Sequence, residues 1–118
     1  MVELTPYNYG SVFQLTPSGS SPWTKTTLFS FNGSSTGSGP QGGVVLDSSG
    51  NLFGVNNVIV YELSPLGGSW QETAVFSSGS FLTPTPGISL AIDPAGNLYG
   101  TIPAETVPVQ DVVYELTP

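Results

Sequence analysis

One eight-residue phrase occurs three times in the chain, and this repetition constrains the fold more than any other feature of the sequence. The phrase reads Gly10-Ser-Val-Phe-Gln-Leu-Thr-Pro17, then Val58-Ile-Val-Tyr-Glu-Leu-Ser-Pro65, and finally Asp111-Val-Val-Tyr-Glu-Leu-Thr-Pro118. Its side chains alternate with a period of two, as Phe13 and Leu15 illustrate, and such alternation is typical of a β-strand. The sequence therefore predicts a fold built from repeated strand-containing units.

A second phrase recurs between these copies, as Leu46-Asp-Ser-Ser-Gly-Asn-Leu-Phe-Gly54 and as Ile92-Asp-Pro-Ala-Gly-Asn-Leu-Tyr-Gly100. In each copy an Asp can accept hydrogen bonds from the backbone amides that follow it, and a Gly stands where a tight turn needs positive φ. The phrase therefore predicts a tight turn between two strands at both places. The predicted structural residues of these turns are Asp47, Gly50, Asn51, Asp93, Gly96 and Asn97.

The middle of the chain predicts one complete four-stranded unit. Gly42 to Asp47 is a short apolar run flanked by glycine, so it is predicted to be the inner strand, buried on both faces. Leu52 to Val55, Val58 to Leu63 and Trp70 to Ser77 are predicted as the second, third and outer strands. The β-branched and aromatic residues in these segments favour strands over helices.

The two ends of the chain predict incomplete units. Ser11 to Phe31 holds a third and an outer strand, and Ile88 to Leu116 holds an inner, a second and a third strand. The expected total is nine strands, or ten if Val2 to Thr5 also pairs.

An all-β fold made of antiparallel β-propeller blades follows from this organisation. Asp47 and Asp93 lie 46 residues apart, and a four-stranded unit of about 40 to 50 residues has the period of a propeller blade. The predicted single domain is 1–118, with a partial blade in 1–41, a full blade in 42–77 and a partial blade in 78–118.

About two blades cannot close a propeller, which needs at least about four. A single chain would expose blade faces together with unpaired strand edges, which soluble proteins avoid. We therefore expect a cyclic homo-oligomer of about two to four chains that completes the ring. The residues expected on the exposed faces include Val44, Leu46, Tyr61 and Phe76.

Charge and composition exclude several classes of function. The chain has eight acidic residues and one basic residue, Lys25, and a net charge of −7, so neither nucleic acid nor an anionic membrane surface is an expected partner. No apolar run reaches the ~18 residues of a membrane-spanning helix. The absence of His and Cys excludes a Ser-His-Asp triad, a Cys nucleophile, and metal sites built from histidine or thiolate. No cofactor is expected, and no metal is expected either, because neither aspartate turn has the alternating acidic ligands of a calcium loop.

The repeated phrases resemble those of the bacterial Gloeo-Verruco type tandem repeats. Gly10 to Pro17 is similar to the GTVFELTP phrase of that family, and Asp47 to Gly54 is similar to its DSAGNLYGTT phrase. The resemblance covers nearly the whole chain, with departures at Val55 to Asn57 and near Pro103. It implies an extracellular β-propeller, hence a secreted or cell-surface bacterial location, and it carries over no catalytic residue.

Two functions of different classes stay open. Asp47 and Asp93 could together support glycoside chemistry or bind calcium, but an Asp that opens a turn needs only its local hydrogen bonds. Trp23 and Trp70 could stack on sugar rings, although aromatic residues more often serve packing. The leading hypothesis is a non-enzymatic scaffold or extracellular binding module, with carbohydrate as a candidate ligand. The alternative is a carboxylate-dependent glycan-active enzyme, a hydrolase or lyase.

Overall fold

The computed structural model describes residues 9–33, 39–56, 59–77, 90–102 and 112–118. All regular structure in these residues is β-strand, arranged in antiparallel sheets. The all-β prediction is therefore confirmed. No described segment forms a helix with the length and apolar character needed to cross a membrane.

Nine strands form three sheets in the described residues. The strands are β1 Ser11–Ser18, β2 Ser21–Ser30, β3 Gln41–Leu46, β4 Leu52–Val55, β5 Ile59–Leu66, β6 Ser69–Ser77, β7 Ala91–Ile92, β8 Leu98–Ile102 and β9 Val112–Leu116. An N-terminal sheet pairs β1 with β2, a central sheet has the order β3-β4-β5-β6, and a C-terminal sheet has the order β7-β8-β9.

The order of the strands agrees with the order expected from the sequence. The central sheet runs from inner to outer strand without a crossover. Leu66 pairs with Ser69 across a tight loop between β5 and β6. The loop residues Gly67 and Gly68 have φ values of +57° and +87°, as a type I′ hairpin turn requires. The tenth strand expected at Val2 to Thr5 lies outside the described residues.

The N-terminal and central sheets share one irregularity. In the central sheet the register of β5 and β6 shifts between Val60 and Tyr61. In the N-terminal sheet the register of β1 and β2 shifts between Val12 and Phe13, which are the same positions of the repeated phrase. The repeated phrase therefore shifts the strand register at the same place in both sheets.

The inner strand of the central sheet departs from its prediction. Residues 42–47 are not buried on both faces: residues 42–44 are exposed, Leu46 is 59% exposed, and Val45 packs against a core only in part. This strand, β3, lies at the edge of its sheet, and its pairing is irregular after Gln41. The prediction is wrong because an apolar run does not distinguish a covered strand from an edge strand that lacks a covering layer.

One face of the central sheet packs against the N-terminal sheet. Tyr61 and Leu63 of β5 are 1% and 0% exposed, and they form a core with Val12 of β1 and Phe31, which follows β2. The rings of Phe31 and Tyr61 meet edge to face, with centroids 5.2 Å apart. We call this surface the Tyr61-type face.

The opposite face of the central sheet packs against the C-terminal sheet. Val55 and Val60 are 2% and 0% exposed, and they form a second core with Leu98 of β8. The ring of Phe76 stacks on that of Tyr114 from β9, with centroids 6.0 Å apart. We call this surface the Val60-type face.

Both interfaces have the same construction. Tyr114 and Leu116 occupy in β9 the positions that Tyr61 and Leu63 occupy in β5, and both lie at the contact with the central sheet. Each interface therefore joins the Tyr61-type face of one sheet to the Val60-type face of the sheet that precedes it. The inner strands β3 and β7 lie against each other, as do the outer strands β2 and β6.

The exposed apolar residues differ in part from those expected. Val44 and Leu46 are exposed, but Tyr61 is buried and Phe76 is half-buried. Tyr61 and Phe76 are covered because the incomplete units at both ends of the chain pack on the two faces of the central sheet. The exposed faces lie instead at the two ends of the stack.

Candidate functional site

A cleft between the central and C-terminal sheets is a candidate binding site. Its volume is about 590 Å³, within the range of roughly 300 to 1,000 Å³ that is usual for small-molecule sites. The turns that begin at Asp47 and Asp93 both line it, and Phe53, Leu98 and Leu116 contribute an apolar wall. The structure thus brings both predicted turn carboxylates to one cleft.

Asp47 organises the first turn through both of its carboxylate oxygens. Oδ1 accepts hydrogen bonds from the backbone N–H groups of Ser49 at 2.8 Å and Asn51 at 2.9 Å, and Oδ2 accepts one from Nδ2 of Asn51 at 2.9 Å. Gly50 donates its N–H to the Asp47 carbonyl at 3.3 Å. Gly50 has a φ of +89°, a conformation that glycine adopts without steric cost.

Asp93 makes the same set of bonds and one more. Its Oδ1 accepts from the N–H groups of Ala95 and Asn97, both at 2.9 Å, and its Oδ2 accepts from Nδ2 of Asn97 at 2.8 Å. The hydroxyl of Tyr99 also donates to Oδ2, at 3.0 Å. The first repeat has Phe53 in place of this tyrosine, so only the second turn gains the additional donor.

Hydrogen bonding keeps both carboxylates ionised. Burial acts to raise the pKa of Asp47, but the hydrogen bonds that it accepts, chiefly from Asn51, lower the pKa overall. The pKa of Asp93 is lowered mainly by the side chain and backbone of Asn97, with a smaller contribution from Tyr99. A general acid at neutral pH needs a raised pKa, so neither Asp is suited to protonate a leaving group.

The remaining polar side chains of the cleft are the Glu62 carboxylate, which accepts hydrogen bonds, and the hydroxyls of Ser48, Ser49 and Thr117, which both donate and accept. Glu62 lines the cleft and accepts a hydrogen bond from Ser64 Oγ at 2.9 Å. Lys25 is not among the residues that line the cleft. Within the described ranges, no group of three or more His, Cys, Asp or Glu residues is arranged to hold a metal ion.

The two tryptophans do not line this cleft, and they differ in how far each is exposed. Trp23 is 64% exposed near the start of β2. Trp70 is half-buried and packs into the core between the N-terminal and central sheets. The two predicted ligand-binding residues therefore differ in exposure, and neither lines the cleft.

Glu72 is a polar feature that the repeated phrases do not indicate. It pairs with Leu63 across β5 and β6, and its Oε1 is buried without a hydrogen-bond partner among the described residues. Burial raises the pKa of Glu72 to about 6. Burial and the Glu72 charge together raise the pKa of Tyr61 to about 12. The sequence did contain a signal for this position. Side chains alternate along β6, so Glu72 lies on the same face as Trp70 and Tyr61.

Comparisons with protein-family models, curated proteins and solved structures found nothing that matches this chain. The geometry of the sheets and of the cleft is thus the basis for a functional assignment.

Proposed function

We propose that the chain is a non-enzymatic β-propeller repeat module, a scaffold or extracellular binding module, whose ring is completed by further copies of the same chain. The observation that carries this proposal is that the Tyr61-type face of one sheet twice packs on the Val60-type face of the preceding sheet, with inner strand against inner strand and outer strand against outer strand. A propeller repeats sheets radially around a central channel, and it needs one such interface between every pair of neighbouring blades. The two interfaces within the chain repeat one construction, which supports the proposal.

A neutral carbohydrate is the ligand class that the cleft suits best. Glu62 supplies carboxylate oxygens that retain acceptor capacity for ligand hydroxyl groups. Leu46 and Val75 line the cleft and are 59% and 39% exposed, so they supply apolar surface for the less polar faces of a sugar ring. The acidic lining and the net charge of −7 disfavour anionic ligands.

A glycan array tests this proposal with a variant that fills the cleft. Ser48 is exposed and lines the cleft, so Ser48→Trp should block binding of neutral oligosaccharides. Ser20→Trp, in the exposed loop between β1 and β2, is the matched control and should leave binding unchanged. Absence of glycan binding by the parent protein would overturn the binding role and leave the scaffold role.

A carboxylate-dependent hydrolase or lyase is less well supported, because the hydrogen bonds at Asp47 and Asp93 lower the pKa of both groups. The double variant Asp47→Asn and Asp93→Asn separates the two functions. Glycan binding without turnover in the parent, retained in the double variant, supports the binding module. Turnover by the parent that the double variant loses would establish the enzyme instead.

A further inference from the structure

We infer that the two exposed end faces of the stack bind each other across chains. The Tyr61-type face of the N-terminal sheet, which presents Phe13 and Leu15, docks on the Val60-type face of the C-terminal sheet of the next copy, which presents Tyr99 and Val113. This inference rests on the proposed ring and specifies the surfaces that close it.

The N-terminal end face is a copy of a face that is buried inside the chain. Phe13 and Leu15 occupy the positions of Tyr61 and Leu63 in the repeated phrase, yet they are 49% and 50% exposed where their counterparts are 1% and 0% exposed. Leu15 pairs with Lys25, whose Nζ lies 4.9 Å from the centre of the Phe13 ring, so the three side chains share one surface. This surface has the composition of an interface, and no sheet formed by the described residues covers it.

The C-terminal end face is a copy of the opposite buried face. Val113 occupies the position of Val60, and Tyr99 that of Phe53. Val113 is 77% exposed and Tyr99 36%, whereas Val60 and Phe53 are 0% and 9% exposed beneath the C-terminal sheet. The C-terminal sheet therefore presents the surface on which a further sheet would pack.

The internal interface shows which residues should meet between chains. Leu63 and Val12 belong to one core within the chain. Their equivalents at the two end faces are Leu15 and Val113. A copy that repeats the internal interface therefore brings Leu15 of one chain against Val113 of the next.

Charge favours the same pairing. Lys25 is the only basic residue of the chain, and it lies on the N-terminal end face beside Phe13. Glu115 lies on the C-terminal end face, where it pairs with Tyr99, and its Oε1 lies 3.3 Å from the Tyr99 hydroxyl that donates to Asp93. Opposite charges on two facing surfaces favour encounter in one orientation, and a contact between two copies of the same end face would instead place like charges together.

Disulfide trapping between single-cysteine variants tests the pairing, because the chain has no cysteine of its own. Mild oxidation of a mixture of Leu15→Cys and Val113→Cys should give a cross-linked dimer at several times the yield from either variant alone. The control is Leu66→Cys mixed with Val113→Cys. Leu66 is 62% exposed at the end of β5 and lies on neither end face. An equal yield from the control mixture would overturn the inference.

Charge reversal supplies a second test that does not depend on cross-linking. Lys25→Glu should raise the dissociation constant between chains about fivefold, and adding Glu115→Lys in the same chain should restore it. The outcomes of the two tests separate this inference from the proposed ring. Oligomers that form without the Leu15–Val113 cross-link and without the charge rescue would overturn the pairing of end faces but leave the ring. A chain that stays monomeric would overturn both. An open filament that forms the cross-link would overturn the ring and retain the pairing.

Discussion

Leu63 and Leu15 occupy the same position in two copies of one phrase, yet Leu63 is 0% exposed and Leu15 is 50% exposed. Both lie on strands that share the same register shift, and each pairs with a charged residue of the neighbouring strand. The difference is the covering layer, because the N-terminal sheet packs on Leu63 and no described residue encloses Leu15 to the same extent. In a repeat protein, the burial of a residue thus depends on its place in the stack as well as on its local sequence.

Truncation of these two leucines should show the largest difference. In the Val113→Asp background, which we expect to keep the chain monomeric, Leu63→Ala should lower the free energy of unfolding by about 3 kcal/mol because it leaves a cavity. Leu15→Ala in the same background should cost less than about 1 kcal/mol, since the side chain is already half exposed. Urea unfolding measures both values. Equal losses would show that Leu15 is enclosed within the single chain, contrary to the comparison.

Alanine at two equivalent glycines should give the next largest difference. A Cβ at Gly54 would overlap the hydroxyl of Tyr61, and a Cβ at Gly100 would overlap that of Tyr114. Tyr61 is enclosed by the N-terminal sheet and cannot move away, whereas Tyr114 is only half-buried. We expect Gly54→Ala to cost about 2 kcal/mol and Gly100→Ala about 1 kcal/mol. Thermal unfolding that ranks Gly100→Ala as the more damaging change would contradict this order.

Valine at the two turn glycines should give smaller and nearly equal effects, because the two turns have the same geometry. Gly50 and Gly96 have φ values of +89° and +90°, and a β-branched residue there is strained by about 1 kcal/mol or more. Gly43→Val is the control, since Gly43 lies in β3 without positive φ and a Cβ there would meet nothing. If the Gly50 and Gly96 variants both have the Tm of the parent, valine is not strained at these positions and the assigned turn geometry is wrong.

The smallest expected effect is on the pH dependence of stability, which should have opposite signs for Glu72 in the buried interface and for Asp93 in its turn. The folded pKa of Glu72 is raised from 4.5 to about 6 by burial, so its contribution to stability is complete below pH 4.5 and is lost as the pH rises through about 6. The lowered pKa of Asp93 has the opposite sign, with a contribution present above pH 3.8 that is lost on further acidification. Glu72→Gln should therefore remove the fall in Tm between pH 4.5 and 6. A parent protein whose Tm rises across this window would contradict the assignment.

The strands and the two turns could be predicted because their chemistry is local. Period-two alternation places Phe13 and Leu15 on one surface whatever lies beyond it. The hydrogen bonds from Ser49 and Asn51 to Asp47 need only the residues of the turn itself. The repetition of both phrases then predicts that equivalent segments adopt equivalent structure.

The burial of each face and the cleft could not be predicted, because both depend on how the sheets stack. The apolar run at residues 42–47 reads as a buried strand, yet β3 lies at an edge. Asp47 and Asp93 line one cleft only because two neighbouring sheets bring their equivalent turns together. The burial of Glu72 likewise depends on the N-terminal sheet, which is distant in the sequence. In that sheet the position equivalent to Glu72 is Lys25.

The solution mass of the parent chain tests the central claim most directly, namely that the exposed end faces are unoccupied copies of an interface. We expect light scattering to give one species of about two to four chains, each of 12.2 kDa. Val113→Asp, which places a charge on a residue that is 77% exposed in the single chain, should convert this species to a folded monomer. A monodisperse, well-folded parent protein with the mass of one 12.2 kDa chain would contradict the claim.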